Sequence, residues 1–201
     1  MSLPLHSRSA TGWSFRHLLG ATAGLGLLLG TADVQAQTLY GLGTLTQPAN
    51  GAPAGSQTLI TINPTNGAPT GFSPFVSGVT PGQRLVGMDY RPNTGQAFVL
   101  GYDASITSTS TPNAQLYTIA PATGVVTAVG AAIRLELGGA TDRIGFDFNP
   151  TVDRIRVVST NDRNYRLNPV TGGVAATDGN LAYADGTPAD ANVGAVAYTN
   201  S

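Results

Sequence analysis

A turn motif that occurs five times is the feature that most constrains how this chain can fold. The motif reads x-Pro-x-x-Gly, once with Asp in place of Gly, and each copy follows a short apolar stretch. Pro sets φ for the first position of a turn, and Gly or Asp supplies the positive φ that lets the chain rejoin its partner strand. The motif therefore predicts hairpin turns at residues 63–67, 91–95, 120–124, 149–153 and 168–172.

The stretches around these turns have the pattern of half-buried strands. They alternate apolar and polar residues, are rich in Val, Ile, Thr, Tyr and Phe, and show no helical period after the first 37 residues. Two hairpin types alternate along the chain. An inner type leads with residues 85–90 and 143–148, and an outer type leads with residues 59–62, 116–119 and 165–168.

The two hairpin types repeat together. The period is 58 residues between Pro92 and Pro150 and 57 residues between Pro64 and Pro121. Two hairpins per period give a four-stranded unit of the size of a propeller blade, which is too long for a solenoid rung. The sequence therefore predicts an all-β protein built from propeller-like, four-stranded antiparallel blades.

About three blade equivalents fit into residues 38–201, whereas closed propellers typically have about four to eight blades. Residues 38–43 match the second strand of the inner hairpin, and residues 193–199 match its first strand. We expect an incomplete ring in which these two half-hairpins pair with each other or with a second copy of the chain, because unpaired strand edges are templates for association.

Residues 1–36 are predicted to be a secretory signal peptide, which leaves residues 37–201 as the partial propeller-like domain. Arg8 and Arg16 precede an apolar run at residues 18–30, and Val-Gln-Ala follows at residues 34–36. The run of 13 residues is shorter than the roughly 20 that a spanning helix needs. We expect export to the periplasm or the medium and no membrane span.

The composition excludes several kinds of chemistry. The chain has no Cys and no Lys, and both histidines, His6 and His17, lie in the predicted signal peptide. Ser-His-Asp triads, His- or Cys-ligated zinc and Schiff-base lysines are therefore excluded after export. With 10 Arg against 11 Asp plus Glu, the chain also lacks the basic surface that nucleic acid or anionic lipid requires.

Three segments resemble a known bacterial family. Residues 145–159, which read GFDFNPTVDRIRVVS, are followed by RLNP at residues 166–169 and by DGNLAY at residues 178–183. Together they are similar to the family called domain of unknown function 4394, and the resemblance covers nearly all of the chain after the signal peptide. The resemblance implies an exported, propeller-like repeat protein, and it implies no established activity.

Asp89 and Asp147 occupy equivalent positions in the two inner hairpins. Carboxylates repeated around an axis are suited to bind Ca²⁺, which prefers hard oxygen ligands, and Asp153 is a candidate third ligand. The alternative is that each Asp accepts hydrogen bonds from the backbone of its adjacent turn. The alternative requires no metal or other cofactor, and we favour it.

Residues 142–166 hold nine charged side chains. Within this segment Arg154 and Arg156 alternate on one strand face, with Arg156 in the place that Phe98 has in the other inner hairpin, and Arg163 lies nearby in sequence. Arginines at such spacing can bind a carboxylate or phosphate bidentately. The alternative, which we favour, is a solvated strand whose Asp and Arg side chains pair with their neighbours.

Two functional hypotheses follow from these features. The first is an exported, non-catalytic binding or interaction module with an unknown ligand or protein partner, because the residues on which most catalysis depends are absent. The second is a Ca²⁺-dependent or carboxylate-dependent enzyme of the hydrolase type. No residue is singled out as catalytic.

Overall fold

The computed structural model describes residues 38–187 and 190–199. The predicted signal peptide, residues 1–36, lies outside this part of the chain. The described residues contain eleven strands and no helix. The strands are β1 (Leu39–Thr44), β2 (Gln57–Ile62), β3 (Pro69–Phe75), β4 (Arg84–Tyr90), β5 (Ala97–Tyr102), β6 (Ala114–Ala120), β7 (Val125–Ala128), β8 (Ile144–Asn149), β9 (Arg154–Ser159), β10 (Asn164–Leu167) and β11 (Val174–Thr177).

These strands form three antiparallel sheets, so the all-β prediction is confirmed. The first sheet has the order β1-β2-β3, the second β4-β5-β6-β7 and the third β8-β9-β10-β11. Every pair of neighbouring strands is also consecutive in sequence. The second and third sheets thus have the four strands of the sequence repeat, and the first sheet has three.

The five predicted turns are confirmed by their backbone conformation. The residue that closes each motif has a positive φ: Gly67 (71°), Gly95 (68°), Gly124 (70°), Asp153 (50°) and Gly172 (72°). Each turn joins two antiparallel neighbours, as Asn149 opposite Arg154 shows for the turn that ends in Asp153. The Asp takes the left-handed conformation that Gly takes elsewhere, because Asp tolerates it better than most side chains.

Two apolar cores hold the three sheets together. Phe98, Leu100 and Leu116 of the second sheet pack against Ile155 and Val157 of the third sheet, and all five are buried. The other face of the second sheet packs against the first sheet through a separate cluster of buried residues: Leu59, Leu85, Ala97, Val99, Tyr117, Ile119 and Val126. The alternating pattern of β5 thereby serves both cores.

The leading strands of the second and third sheets, β4 and β8, lie in direct contact. A Cβ placed on Gly87 of β4 would lie 2.4 Å from the Cβ of Phe146 in β8. β8 makes the same kind of contact with residues 195–196. A Cβ on Gly145 of β8 would lie 2.8 Å from the carbonyl carbon of Ala195 and from the nitrogen of Val196. Glycine is required at both positions by this close approach.

Residues 190–199 form no strand in the structure. The sequence predicts a leading strand at residues 193–199, paired with residues 38–43 or with a second copy, and the structure does not show that sheet pairing. The segment instead lies along β8, where the backbone N–H of Tyr198 donates to the carboxylate of Asp147. No described helix has both the length and the apolar character needed to cross a membrane.

Candidate functional site

A cleft of about 660 Å³ opens where the first sheet, β4, β8 and residues 190–199 meet. We call it the axial cleft. It is lined by Thr38, Leu39, Tyr40, Met88, Asp89, Tyr90, Arg91, Pro92, Gly95, Asp147, Phe148 and Tyr198. A second cavity, of about 550 Å³, is lined by the opposite ends of the same strands, including Leu42 of β1, Leu85 of β4 and Ile144 of β8. The leading strands therefore have one cavity at each end.

Asp89 and Asp147 each bind the backbone of the next leading segment. Oδ2 of Asp89 accepts the N–H of Phe148 at 2.8 Å, and Oδ2 of Asp147 accepts the N–H of Tyr198 at 2.7 Å. Oδ1 of Asp89 also accepts the N–H of Tyr90 at 2.7 Å. The sequence favours hydrogen bonds from each Asp to the backbone of its adjacent turn. Instead, each carboxylate connects one sheet to the segment that packs on it.

The carboxyl group of Asp147 is partly buried and lies close to the carboxyl group of Asp89. Burial raises the pKa of Asp147 to about 6, and the neighbouring carboxyl of Asp89 adds to the rise through its charge and a hydrogen bond. The N–H of Tyr198 opposes the rise, because it stabilises the ionised form. The carboxyl group of Asp147 can therefore hold a proton at a pH of up to about 6.

Aromatic side chains form much of the wall of the axial cleft. The rings of Tyr40 and Tyr90 lie 5.9 Å apart at an angle of 40°. Burial raises the pKa of Tyr90 to about 12, and the neighbouring Tyr40 contributes, so the hydroxyl stays neutral. Phe148 lies on Phe98 in an edge-to-face arrangement with ring centroids 5.3 Å apart. The aromatic wall is thus fixed by contacts that reach into the core.

Asp153, the predicted third Ca²⁺ ligand, is paired with an arginine. Nε of Arg91 donates to its Oδ1 at 2.8 Å, and Nη2 of Arg91 donates to its Oδ2. This pairing lowers the pKa of Asp153. Asp89 and Asp147 remain as the two carboxylates of the cleft. The described ranges 38–187 and 190–199 contain no group of three or more acidic, His or Cys side chains placed to hold a metal ion.

The predicted anion-binding arginines are only partly brought together. Arg156 lies opposite Asp147 on one side and Arg166 on the other, so all three side chains share one face of the third sheet. Arg156 donates to Asp178, to Asn164 at 2.6 Å and to the hydroxyl of Tyr198 at 3.1 Å. Its guanidinium is therefore engaged by the protein.

Asp178 joins two of the arginines on this face. Arg166 binds it in a bidentate manner, with Nε at 2.9 Å from Oδ2 and Nη2 at 2.7 Å from Oδ1. The two arginines lower the pKa of Asp178, so it stays ionised. Arg154 donates to the carbonyl of Asp153 at 2.9 Å, and Arg163 forms an exposed ion pair with Glu136 at 2.7 Å. Arg156, Arg166 and Asp178 thus form a cluster of paired charges on this face, and the acid that pairs both arginines lies outside the segment 142–166.

The sequence patterns do not single out five residues of these contacts: Tyr40, Tyr90, Tyr198, Arg91 and Asp178. A signal for Tyr90 and Tyr198 is present, because an aromatic residue stands at the same position of each leading segment, with Phe148 as the third member. Asp178 carries no such signal, since its partners are 12 and 22 residues away in the chain.

Removing the charge of Asp147 should stabilise the protein at neutral pH. Its folded-state pKa of about 6 exceeds the unfolded value of roughly 3.9, so stability falls as the pH rises between these values. The surrounding groups are Asp89, Tyr198 and, on the neighbouring strand β9, Arg156. We expect Asp147→Asn, which keeps the acceptor for Tyr198, to raise the free energy of unfolding by on the order of 1 kcal/mol at about pH 8. The gain is limited to this size because solvent screens the partly exposed group.

The measurement is the melting temperature of the variant and the wild type between about pH 4 and pH 8. The difference should be near zero at the acidic end and should grow to a few degrees at the other. Asp190→Asn, in an exposed loop, is the matched control. A difference that does not change with pH would contradict the raised pKa of Asp147.

A comparison with known protein families identifies the family of this chain. A family model described as domain of unknown function (DUF4394) matches residues 58–201. This range runs from the second residue of β2 through β11 and includes the segment that carries Tyr198. A search of the curated proteins gives no match.

Proposed function

The chain belongs to the family described as domain of unknown function (DUF4394), and from this premise we propose that it is an exported, non-catalytic binding module. In this proposal the three sheets are blades of a propeller-like ring, and the axial cleft holds a small organic ligand. The observation that carries the proposal is the lining of the cleft, which combines tyrosine rings with two carboxyl groups from adjacent sheets.

The packing of the leading strands supports the propeller-like arrangement. β8 packs on β4, and residues 195–198 pack on β8 in the same manner, with Gly87 and Gly145 at the two contacts. The two cavities at opposite ends of these strands have the position of the two mouths of an axial channel. Propellers present ligand sites at such positions.

The size and lining of the axial cleft suit a small molecule. Its volume of about 660 Å³ falls within the roughly 300–1,000 Å³ of typical ligand sites. Tyr40 and Tyr90 offer ring faces, and Asp89 and Asp147 offer oxygen acceptors that orient a ligand. Tyrosine binds ligands well because it combines a large apolar surface with one polar group.

The charge of the cleft favours a cationic or uncharged ligand over an anion. Among the described residues that line the cleft, Arg91 is the only one with a cationic side chain, and its ion pair with Asp153 neutralises that charge. Within residues 38–187 and 190–199, no ion pair neutralises Asp89 or Asp147. An organic cation next to tyrosine rings also gains a cation–π interaction of roughly 0.5–2 kcal/mol.

A thermal-shift titration with four probes tests the proposal. We expect choline to raise the melting temperature more than its uncharged carbon analogue does, by a few degrees at about ten times its Kd. Inorganic phosphate and Ca²⁺ should give no shift. Asp147→Asn should reduce the choline shift, and Asp190→Asn should leave it unchanged.

The other probes identify the competing explanations. A phosphate shift that Arg156→Ala removes would place the ligand on the arginine face of the third sheet and would contradict the axial cleft. Equal shifts with choline and its carbon analogue would leave the cleft as the site and would exclude the preference for a cation.

The second candidate is a Ca²⁺-dependent or carboxylate-dependent enzyme. The observation that favours it is the pairing of Asp89 with Asp147, whose pKa of about 6 suits a general acid. A Ca²⁺ shift that Asp147→Asn removes would support this candidate, and activity assays on phosphoesters, lactones and glycosides would then follow. The absence of Lys, Cys and, after residue 17, His makes the binding module the better-supported function.

A further inference from the structure

We propose that residues 194–199 are the missing leading strand of the first sheet and pair, antiparallel and within the same chain, with β1. The second and third sheets have four strands, and the first sheet has three. Sequence and register show that β1 corresponds to β5, the second strand of its sheet. The absent strand is therefore the counterpart of β4, and its place is beside β1.

Residues 195–198 have the sequence and contacts of such a strand. They align with residues 87–90 and 145–148, and each of the three segments ends in an aromatic residue. Phe148 donates its N–H to Asp89, and Tyr198 donates its N–H to Asp147, at 2.8 and 2.7 Å. The segment thus lies on β8 as β8 lies on β4.

The segment and β1 border the same cleft. Tyr198 lines the axial cleft together with Leu39 and Tyr40. β1 pairs with β2 along one edge, and its other edge has no strand partner among the described residues. Asp147 and Arg156 of the third sheet bind Tyr198 in the same chain. These contacts hold the segment on the third sheet of its own chain, which favours pairing within one chain over pairing with a second copy.

The register of β4 with β5 predicts the register of the closure. Asp89 lies opposite Phe98, and Met88 lies opposite Val99. The same register places Ala197 opposite Tyr40 and Val196 opposite Gly41. Residues opposite each other in antiparallel strands have Cβ atoms about 4.5–5.5 Å apart, which is close enough for a disulfide after a small adjustment.

A disulfide-trapping experiment on the full chain tests this register. The chain contains no cysteine, so Tyr40→Cys with Ala197→Cys introduces the only two. We expect most of the protein to become a disulfide-closed monomer under mild oxidation, seen by non-reducing electrophoresis and by mass spectrometry of the linked peptides. Thr44→Cys with Ala197→Cys is the matched control, because a displacement of four residues moves the sulfurs roughly 13 Å apart.

Three results would overturn the proposal. A disulfide-linked dimer would show that a second copy supplies the strand, and equal trapping of both pairs would show that the segment has no fixed register. Failure of the first pair to form any disulfide in folded protein would also overturn it.

A measurement on the wild type is independent of the substitutions. Half of the β1 amides face away from β2, and pairing with residues 194–199 would protect them. We expect their hydrogen exchange to be at least about a hundredfold slower than in an unstructured chain, at all protein concentrations. Fast exchange of this alternate set, or protection that depends on concentration, would contradict closure within one chain.

Discussion

Gly87→Ala is expected to lower the free energy of unfolding by about 3 kcal/mol or more, near the upper end for added volume in a packed interior. The new Cβ would lie 2.4 Å from Cβ and 2.9 Å from Cγ of Phe146. Phe146 is buried, and its Cβ is fixed by the backbone of β8, so a rotamer change cannot relieve the clash. The second and third sheets must move apart, which opens the core between them.

Thermal unfolding followed by circular dichroism measures the effect. A loss of this size corresponds to a decrease of roughly 6–12 °C in a domain of this length. Gly179→Ala is the matched control, because a Cβ there has no neighbour within 4 Å. In a Phe146→Gly background the cost of Gly87→Ala should fall sharply, since the clashing Cβ is gone. Equal, small effects of Gly87→Ala and Gly179→Ala would contradict the close packing of β4 on β8.

The features that local residue chemistry decides were predictable from the sequence. The five turns depend on Pro at the first position and on a positive φ at the last, and both requirements are visible in the residues themselves. The strand pattern of β5 is also visible in the residues, because alternate side chains of a strand face opposite sides of the sheet. Two cores on the two faces of the second sheet follow from it.

The functional contacts of the cleft were not predictable, because they join residues far apart in the chain. Asp89 accepts its hydrogen bond from Phe148, 59 residues away, and Arg91 pairs with Asp153, 62 residues away. A carboxylate beside a turn has local donors available, so the sequence favours a local partner. The packing of β8 on β4 decides instead, since it brings the N–H of Phe148 within reach.

The exchange of Phe98 for Arg156 shows how one repeat gives two kinds of surface. Phe98 lies opposite Asp89 on the face that the third sheet covers, and it is 2% exposed. Arg156 lies opposite Asp147 on the face that meets residues 190–199, where Tyr198 and Asp178 bind it. An apolar residue fits the contact between two complete sheets, whereas an arginine with several acceptors fits a contact with a single segment.

Asp89→Ala is expected to destabilise the protein by about 2–4 kcal/mol, because it removes the acceptor of two backbone N–H groups at once. One of them belongs to Phe148, which is 2% exposed, so the substitution leaves a largely buried N–H group without its carboxylate acceptor. Asp89→Asn retains one side-chain carbonyl oxygen and should cost less. The expected order of stability is therefore wild type, then Asn, then Ala, measured by denaturant unfolding at neutral pH.

Hydrogen exchange at single amides separates this cause from a general loss of packing. In Asp89→Ala the amide of Phe148 should exchange faster by a larger factor than that of Val157, which lies in the same core and whose neighbours in β9 are unchanged. If both amides accelerated equally, the loss would be global and Asp89 would not act through its bond to β8. A selective effect at Phe148 would establish the carboxylate as the connection between the second and third sheets. The same experiment on Asp147→Ala, followed at Tyr198, would then extend it to the segment that lines the axial cleft.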